Sequence, residues 1–190
     1  PTTSYTYRAY VYDGTIYTYG TAQTFTTLSA EPTTQPTNLV LTAVTDVTMT
    51  VSWTAATSNP DGYIVVRRTS TALPTTNPAD GTTYTVGTTL GNGVVAYVGS
   101  SLSAAMSSLT AATAYSFKIY SYNGSGATIN YYQTSPLSAT SLYTLSTEPT
   151  NHSNTFTLNS IASGTATLGF QSPNAISATG YVIIRKVGTV

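Results

Sequence analysis

The sequence predicts an all-β chain built from tandem two-sheet sandwiches, and three observations support that fold class. β-Branched and aromatic residues suit pleated strands, and the 190 residues include 16 Tyr, whereas amphipathic helical spacing is almost absent. Short segments of alternating apolar and polar residues lie between turns that contain Gly or Pro. Finally, FTTLSAEPT at 25–33 recurs as LYTLSTEPT at 142–150, an offset of 117 residues that suits one sandwich domain per repeat.

The clearest strand lies within LTAATAYSFKIYSYN at 109–123. Its side chains alternate from Tyr115 onward, as expected for a central strand of a sheet. One face carries Tyr115, Phe117, Ile119 and Ser121, and the other carries Ser116, Lys118, Tyr120 and Tyr122. Leu109 precedes Tyr115 by six residues, with Thr113 between them. This spacing predicts a tyrosine corner, in which the Tyr115 hydroxyl folds back to the preceding backbone.

The chain opens with a similar pattern, because Thr3 and Tyr5 stand where Thr113 and Tyr115 stand later. Strands at 5–12 and 21–28 are therefore predicted, joined through the turn signals Asp13-Gly14 and Gly20. We interpret residues 1–30 as the C-terminal strands of an upstream domain.

A proline-bearing linker, AEPTTQPT at 30–37, leads into a complete domain that we place at 31–147. Strands are predicted around 39–44 and 49–53, with Trp53 at the centre of the core. The next strand, 63–68, is apolar on both sides: Tyr63 faces one way and its neighbours Ile64 and Val66 face the other. Something must therefore cover Ile64 and Val66.

A long insertion at 69–99 is the candidate cover. It contains turn signals and short predicted strands at 83–86 and 94–98. Further strands are expected at 102–106 and 137–145, which complete the domain.

Residues 148–190 are predicted to be the N-terminal strands of a downstream domain. The 117-residue offset places Phe170 on Trp53, and after one extra residue GYVIIRK at 180–186 matches GYIVVRR at 62–68, which places Tyr181 on Tyr63. Each partial domain lacks strands, so we expect its edges to be disordered, completed by further chain or paired with another copy.

Charge and composition limit the function classes. Charged residues make up only 6% of the chain, six Lys and Arg against six Asp and Glu, which argues against a nucleic-acid partner. There is no long apolar run for direct membrane insertion, and zero Cys means no disulfides and no thiolate metal site. A surface of Thr, Ser, Asn and Tyr is typical of exported bacterial proteins, so a secreted, extracellular location is expected.

No catalytic residues, cofactor or metal site are predicted. Catalysis needs a nucleophile and base, or two carboxylates, that converge on one pocket. The acids are instead scattered through turns and linkers, at Asp13, Asp46, Asp61, Asp80, Glu31 and Glu148. The single His, His152, lies beside Glu148, but two residues do not make a metal site, and a solvated linker His is the favoured interpretation.

Tyr is the one chemically suggestive surplus. Exposed Tyr rings could form a platform for sugar rings, drawn from Tyr10, Tyr12, Tyr17, Tyr19, Tyr120, Tyr122, Tyr131 and Tyr132, with the apolar face of Ile64 and Val66 as an alternative docking surface. The competing interpretation, which we favour, packs Tyr120 and Tyr122 beside Ile64 and Val66 under the insertion at 69–99.

Trp53, Gly62-Tyr63 and the Leu109, Thr113, Tyr115 corner resemble the fibronectin type III family. Longer motifs, namely ATGYVIIRK, PADGTTYTVGTTLGNGVVAYVG and FKIYSYNG followed by NYY, resemble repeats of very large secreted surface proteins of Bacteroidetes, many of which leave the cell by type IX secretion and some of which are adhesins. The resemblance implies immunoglobulin-like sandwiches, one complete and two partial. Their core would contain Trp53, Tyr63, Leu109, Tyr115, Tyr5, Phe170 and Tyr181. No Arg-Gly-Asp is present, so integrin binding does not carry over.

The functional expectation is a non-catalytic stalk or spacer that contacts neighbouring repeats of the same chain. The alternatives are a module that binds a surface polysaccharide or a cell-surface protein, and the spacer of a secreted polysaccharide-degrading enzyme.

Overall fold

The computed structural model describes residues 1–150, 155–171 and 180–188, and it confirms the all-β fold class: strands dominate, beside a single 3₁₀ turn at Gly126–Thr128 in the described ranges. The chain divides into two compact units, Pro1–Leu145 and Ser146–Val190. Each unit is described separately.

Four short strands begin the first unit: β1 (Ser4–Tyr7), β2 (Tyr10–Tyr12), β3 (Tyr17–Tyr19) and β4 (Gln23–Thr26). β1 pairs with β4, and β2 pairs with β3. The continuous strand predicted at 5–12 is wrong, because it is interrupted at Arg8 and Ala9. In the first 30 residues each strand pairs with one neighbour only, so no second partner strand keeps the backbone extended through Arg8 and Ala9.

Two sheets form the sandwich that follows. The first has the order β10 (Ser103–Met106), β6 (Met49–Thr54), β5 (Thr37–Thr42). The second has the order β12 (Asn130–Tyr131), β11 (Ala114–Asn123), β7 (Gly62–Thr69), β9 (Gly93–Gly99), β8 (Thr89–Leu90), and β13 (Leu137–Tyr143) also pairs with β11. β7 and β13 flank β11, so this central strand stays continuous where its counterpart near the N-terminus breaks.

The core between the two sheets contains Trp53, Tyr63, Leu109 and Tyr115, each at most 5% exposed. The indole ring of Trp53 meets the rings of Tyr63 and Tyr97 edge-on, with centroids 5.7 and 5.9 Å away. Phe117 and Ile119 complete the inward face of β11, as the alternation predicts. The single Trp therefore lies within the main core, as the sequence predicts.

Tyr115 forms the predicted tyrosine corner, because its hydroxyl accepts a hydrogen bond from the Thr110 backbone N–H at 2.8 Å. Thr113 and Thr144 join the strand ends beside it: the Thr113 N–H donates to Thr144 Oγ1 at 3.0 Å and the Thr144 N–H to the Thr113 carbonyl at 3.2 Å. Thr3 and Thr27 make the same pair of bonds, both at 3.0 Å. The start of the chain thus repeats the geometry of the later corner.

The strand predicted at 83–86 does not form. Residues 82–88 run as coil and turn, and β8 begins only at Thr89. The Tyr84 side chain packs into the cluster on the outer face of β7 and β11, and its hydroxyl accepts the Ala79 N–H at 3.0 Å. Side-chain contacts, rather than a strand ladder, therefore fix this segment.

The second unit contains β14 (Phe156–Ala162) and β15 (Thr165–Phe170), which pair with Leu158 opposite Leu168. Leu41 lies opposite Val51 in the first unit, so the 117-residue offset holds at the level of strand register. Residues 180–186, which match the strand-forming sequence at 62–68, do not form a strand. The domain limits at 30/31 and 147/148 stay a prediction.

Three of the predicted core residues are not buried, which corrects the expectation for Tyr5, Phe170 and Tyr181. They are 50%, 40% and 42% exposed, respectively. Tyr5 stacks on Phe25 with centroids 5.3 Å apart, and Phe170 meets Tyr181 edge-on at 5.0 Å. Tyr5 and Phe170 each lie on a two-stranded sheet, and a single sheet leaves one face of its side chains to solvent, whereas Tyr181 lies outside any strand.

Candidate functional site

The surface drawn for ligand binding from Ile64, Val66, Tyr120 and Tyr131 is closed: all four side chains are completely buried. Residues 70–92, which we call the outer layer, lie across the face of β7 and β11 and contribute Leu90 and Tyr84 to a second apolar cluster. Tyr122 is half-buried against this cluster, and its ring meets that of Tyr131 at 5.6 Å. The structure therefore has the packed arrangement that we favoured over an open platform.

Hydrogen bonds hold the outer layer on this face. The Tyr120 hydroxyl donates to Asn77 Oδ1 at 2.8 Å, and the Tyr131 hydroxyl donates to the Thr82 carbonyl at 3.0 Å. Ser116 Oγ donates to the Ala72 carbonyl at 2.6 Å. Burial raises the pKa of the Tyr120 and Tyr131 hydroxyls above the ordinary value, so both remain neutral donors.

Asp61 and Asp80 do more than form the local turns that the Asp-Gly pairs predict. The Asp80 carboxylate accepts the Tyr131 N–H at 2.8 Å, and Asp61 accepts the Gly124 N–H at 2.8 Å. Asn123 Oδ1 accepts the Asp61 N–H at 3.0 Å in return. Only Asp13 matches the local interpretation, since its carboxylate accepts the N–H groups of Thr15 and Ile16, which lower its pKa.

The loop at 123–130, here called the junction loop, binds the chain segment that precedes the domain. Ser29 donates its N–H to the Thr128 carbonyl at 2.8 Å, and its own carbonyl accepts from Asn130 Nδ2 at 2.9 Å. Asn123 Nδ2 donates to the Ala30 carbonyl at 2.9 Å. A methyl group on Gly124, whose φ is +84°, would overlap Ser29 Oγ, so the close approach requires glycine.

Residues 27–36 join β4 to β5 and extend the predicted linker toward β4, and we call this segment the linker from here on. Gln35 fixes the C-terminal end of the linker. Its Oε1 accepts the Ser121 N–H at 3.0 Å, and its Nε2 donates to the carbonyls of Tyr132 and Thr134. Ser121 Oγ donates to the Thr34 carbonyl at 2.7 Å. Pro32 and Pro36 are buried within the same segment. The linker is thus bound along its length by side chains that sequence reasoning did not assign.

Half-buried Tyr132 lies in an open groove of about 530 Å³ between the linker and the start of β13. Thr, Ser, Pro and Asn side chains contribute most of its lining, and no carboxylate, His or Lys is among the residues that line it. The hydroxyl groups that line the groove therefore have no carboxylate or imidazole base beside them among its lining residues.

Four Tyr side chains remain accessible on the β2–β3 hairpin. Tyr10 lies opposite Tyr19 and Tyr12 opposite Tyr17, so all four rings share one face, and each is 50–60% exposed. Tyr12 stacks on Tyr17 with centroids 4.5 Å apart, and the Arg8 guanidinium lies 5.6 Å from the Tyr19 ring. This is the part of the predicted tyrosine platform that faces solvent.

Within residues 1–150, 155–171 and 180–188, no three His, Cys, Asp or Glu side chains come together to hold a metal ion. Glu31 and Glu148 are exposed, whereas His152 lies outside the described residues. The same ranges contain no helix long and apolar enough to cross a membrane.

The two-sheet architecture and the tyrosine corner define an immunoglobulin-like sandwich. A family model for the fibronectin type III domain matches residues 34–136, more than half of the chain. The chain therefore belongs to the fibronectin type III family, as its Trp53, Gly62-Tyr63 and tyrosine-corner motifs indicate.

Solved structures with detectable similarity include a computationally redesigned β-sandwich protein, at 22% identity and a TM-score of 0.40, covering 62% of this chain and 95% of the other. A fibronectin type III domain of human collagen XX has 21% identity and a TM-score of 0.38, covering 60% and 96%. Domains d3–d4 of rat CD45 have 18% identity and a TM-score of 0.36, covering 73% and 62%. No curated protein matches the chain.

Proposed function

We propose that this chain is a non-catalytic structural spacer of tandem fibronectin type III repeats in a long secreted bacterial surface protein, with an adhesin as the parent protein. One observation carries the proposal: the linker at 27–36 is bound along its length by the domain that follows. Ser29, Ala30 and Gln35 each have their backbone or side chain engaged by named partners. A bound linker transmits orientation from one repeat to the next, which is what a spacer needs.

Sequence and charge support the finer parts of the proposal. The 117-residue repeat and the resemblance to Bacteroidetes surface-protein motifs favour a long array, and the polar, weakly charged composition suits an exported surface. The scattered carboxylates and the single His favour a mechanical role over a catalytic one.

Small-angle scattering of the chain tests the spacer. The double variant Asn123→Ala, Asn130→Ala removes two side-chain donors to the linker. The control is Asn92→Ala, because the Asn92 side chain accepts the Thr75 N–H within the outer layer and does not bond to the linker. We expect the double variant to show a larger radius of gyration, and Asn92→Ala to match the wild type. Free reorientation of the first 30 residues in the wild type would refute the spacer.

A second candidate function rests on the exposed tyrosine hairpin. Four exposed Tyr rings on one face of the hairpin, with a guanidinium beside them, suit the apolar faces of sugar rings, so a carbohydrate-binding module in a surface or polysaccharide-degrading protein is the alternative. Titration with soluble surface polysaccharide, followed by Tyr fluorescence, tests it. Tyr12→Ala should abolish a genuine signal, and Tyr143→Ala, an exposed Tyr on β13, should leave it intact.

A further inference from the structure

Residues 80–83, in the middle of the outer layer, reach the junction loop. We propose that residues 80–83 of the outer layer are an interaction surface for the preceding repeat: they brace the junction loop and thereby hold the linker at Leu28–Ala30. This inference deepens the spacer function proposed above, because it assigns the insertion a partner within the same array.

The outer layer makes four hydrogen bonds to the junction loop and to Tyr131, the residue that follows it. Gly81 donates its N–H to the Ile129 carbonyl at 2.8 Å, and Thr83 Oγ1 donates to the Gly126 carbonyl at 3.4 Å. The Tyr131 N–H donates to Asp80 Oδ1 at 2.8 Å, and the Tyr131 hydroxyl donates to the Thr82 carbonyl at 3.0 Å. The outer layer thus holds the part of this irregular loop that runs from Gly126 to Tyr131.

The same loop holds the linker on its other side. Thr128 supplies the carbonyl that accepts the Ser29 N–H, and Asn130 supplies the amide that donates to the Ser29 carbonyl. Thr128 and Asn130 flank Ile129, whose carbonyl is bound by Gly81. Contacts to the linker and a contact to the outer layer therefore alternate over three consecutive residues, so a change on one side of the loop is expected to loosen the other side.

The outer layer also approaches the preceding repeat directly. Gly81 has a φ of +71°, and a methyl group placed on it would lie 3.9 Å from Leu28 Cδ2 and 3.4 Å from the Ala127 carbonyl. Leu28 is half-buried at this point, although it stands at the end of the strands of the first 30 residues. The Asp80-Gly81 turn thus packs between the junction loop and Leu28 at the start of the linker.

Single-residue hydrogen exchange of the full chain tests the brace. Asp80→Ala removes the acceptor for the Tyr131 N–H at an exposed position, so the fold should survive. We expect the Tyr131 and Ser29 amides both to exchange at least about tenfold faster. Asp80→Asn keeps a side-chain oxygen and should restore most of the protection. Asn92→Ala, at the C-terminal end of the outer layer, should leave the exchange of both amides unchanged.

Two results would overturn the brace. One is an unchanged Ser29 amide in Asp80→Ala while the Tyr131 amide accelerates, because the loop would then be free and the linker still held. The other is no change at either amide.

The spacer function can fail independently of the brace. If the repeats reorient in solution while the protection of the Ser29 amide still depends on Asp80, the spacer function is refuted and the brace is supported.

Discussion

At the scale of single residues, Tyr115 joins the core of the sandwich to the corner that precedes its own strand. Its ring is buried and its hydroxyl accepts the Thr110 N–H. Removal of this acceptor leaves a partly buried N–H without its partner, so Tyr115→Phe should lower the free energy of unfolding by about 1–2 kcal/mol. Urea denaturation measures the loss, and Tyr143→Phe, at an exposed position, should cost close to nothing. Equal effects of the two changes would exclude the corner as a source of stability.

Tyr120 and Tyr131 make a pH-dependent contribution. Their folded-state pKa values are raised by burial, whereas the unfolded chain titrates near the ordinary value of 10.0. The stabilisation is therefore complete below about pH 10 and is lost as the pH rises above it, because the unfolded state releases these protons first. The urea concentration at the unfolding midpoint should therefore fall progressively as the pH rises above about 10. Tyr131→Phe should make the midpoint less dependent on pH in this range. An unchanged pH dependence would contradict a contribution from Tyr131.

At the scale of elements, the junction loop and the linker meet so closely that one glycine decides their fit. Gly124 and Gly126 both have positive φ values, +84° and +56°, but only a methyl group on Gly124 would collide with Ser29. Gly124→Ala should therefore release the linker in addition to straining the loop, whereas Gly126→Ala should only strain it.

Limited proteolysis with a broad-specificity protease measures the release. Cleavage within 27–36 should accelerate by about tenfold or more in Gly124→Ala, which corresponds to roughly 1.4 kcal/mol of lost local stability. The same rates for the Gly124 and Gly126 variants would show that the contact with Ser29 does not hold the linker.

The elements also show which part of the fold could be predicted from sequence. The inward face of β11 and the tyrosine corner follow from local spacing, and both Phe117 and Tyr115 lie as that spacing predicts. The strand predicted at 83–86 fails because Tyr84 is held by side-chain packing rather than by a ladder. Local β-propensity cannot distinguish a strand from an extended covering segment.

The candidate site was mostly beyond sequence reasoning, because its contacts join residues far apart in the chain. Asp80 reaches Tyr131, Gln35 reaches Ser121 and Asn123 reaches Ala30. An Asp before Gly predicts a turn whether or not its carboxylate also binds another loop. The sequence allows two interpretations for Tyr120, and the structure matches the favoured one, in which it is covered. An apolar face predicts that some segment covers it, but it does not predict how that segment is arranged.

At the scale of the whole molecule, the recurring geometry supports an array assembled from one plan. Thr3 with Thr27 repeats the bonds of Thr113 with Thr144, and the Leu158–Leu168 pair of β14 and β15 repeats the Leu41–Val51 pair of β5 and β6. The account rests on a single mechanical claim about this plan: the linker at 27–36 is bound by the domain that follows it, and the two do not move independently.

One distance measurement tests that claim most directly. The chain has zero Cys, so spin labels can be attached at Thr18→Cys on β3 and Thr140→Cys on β13, both exposed positions, without other changes. Pulsed electron–electron double resonance should give one narrow distribution of the distance between the two labels. The double variant Asn123→Ala, Asn130→Ala should broaden that distribution. A broad distribution in the otherwise unchanged chain would contradict the account, because the linker would then act as a free hinge.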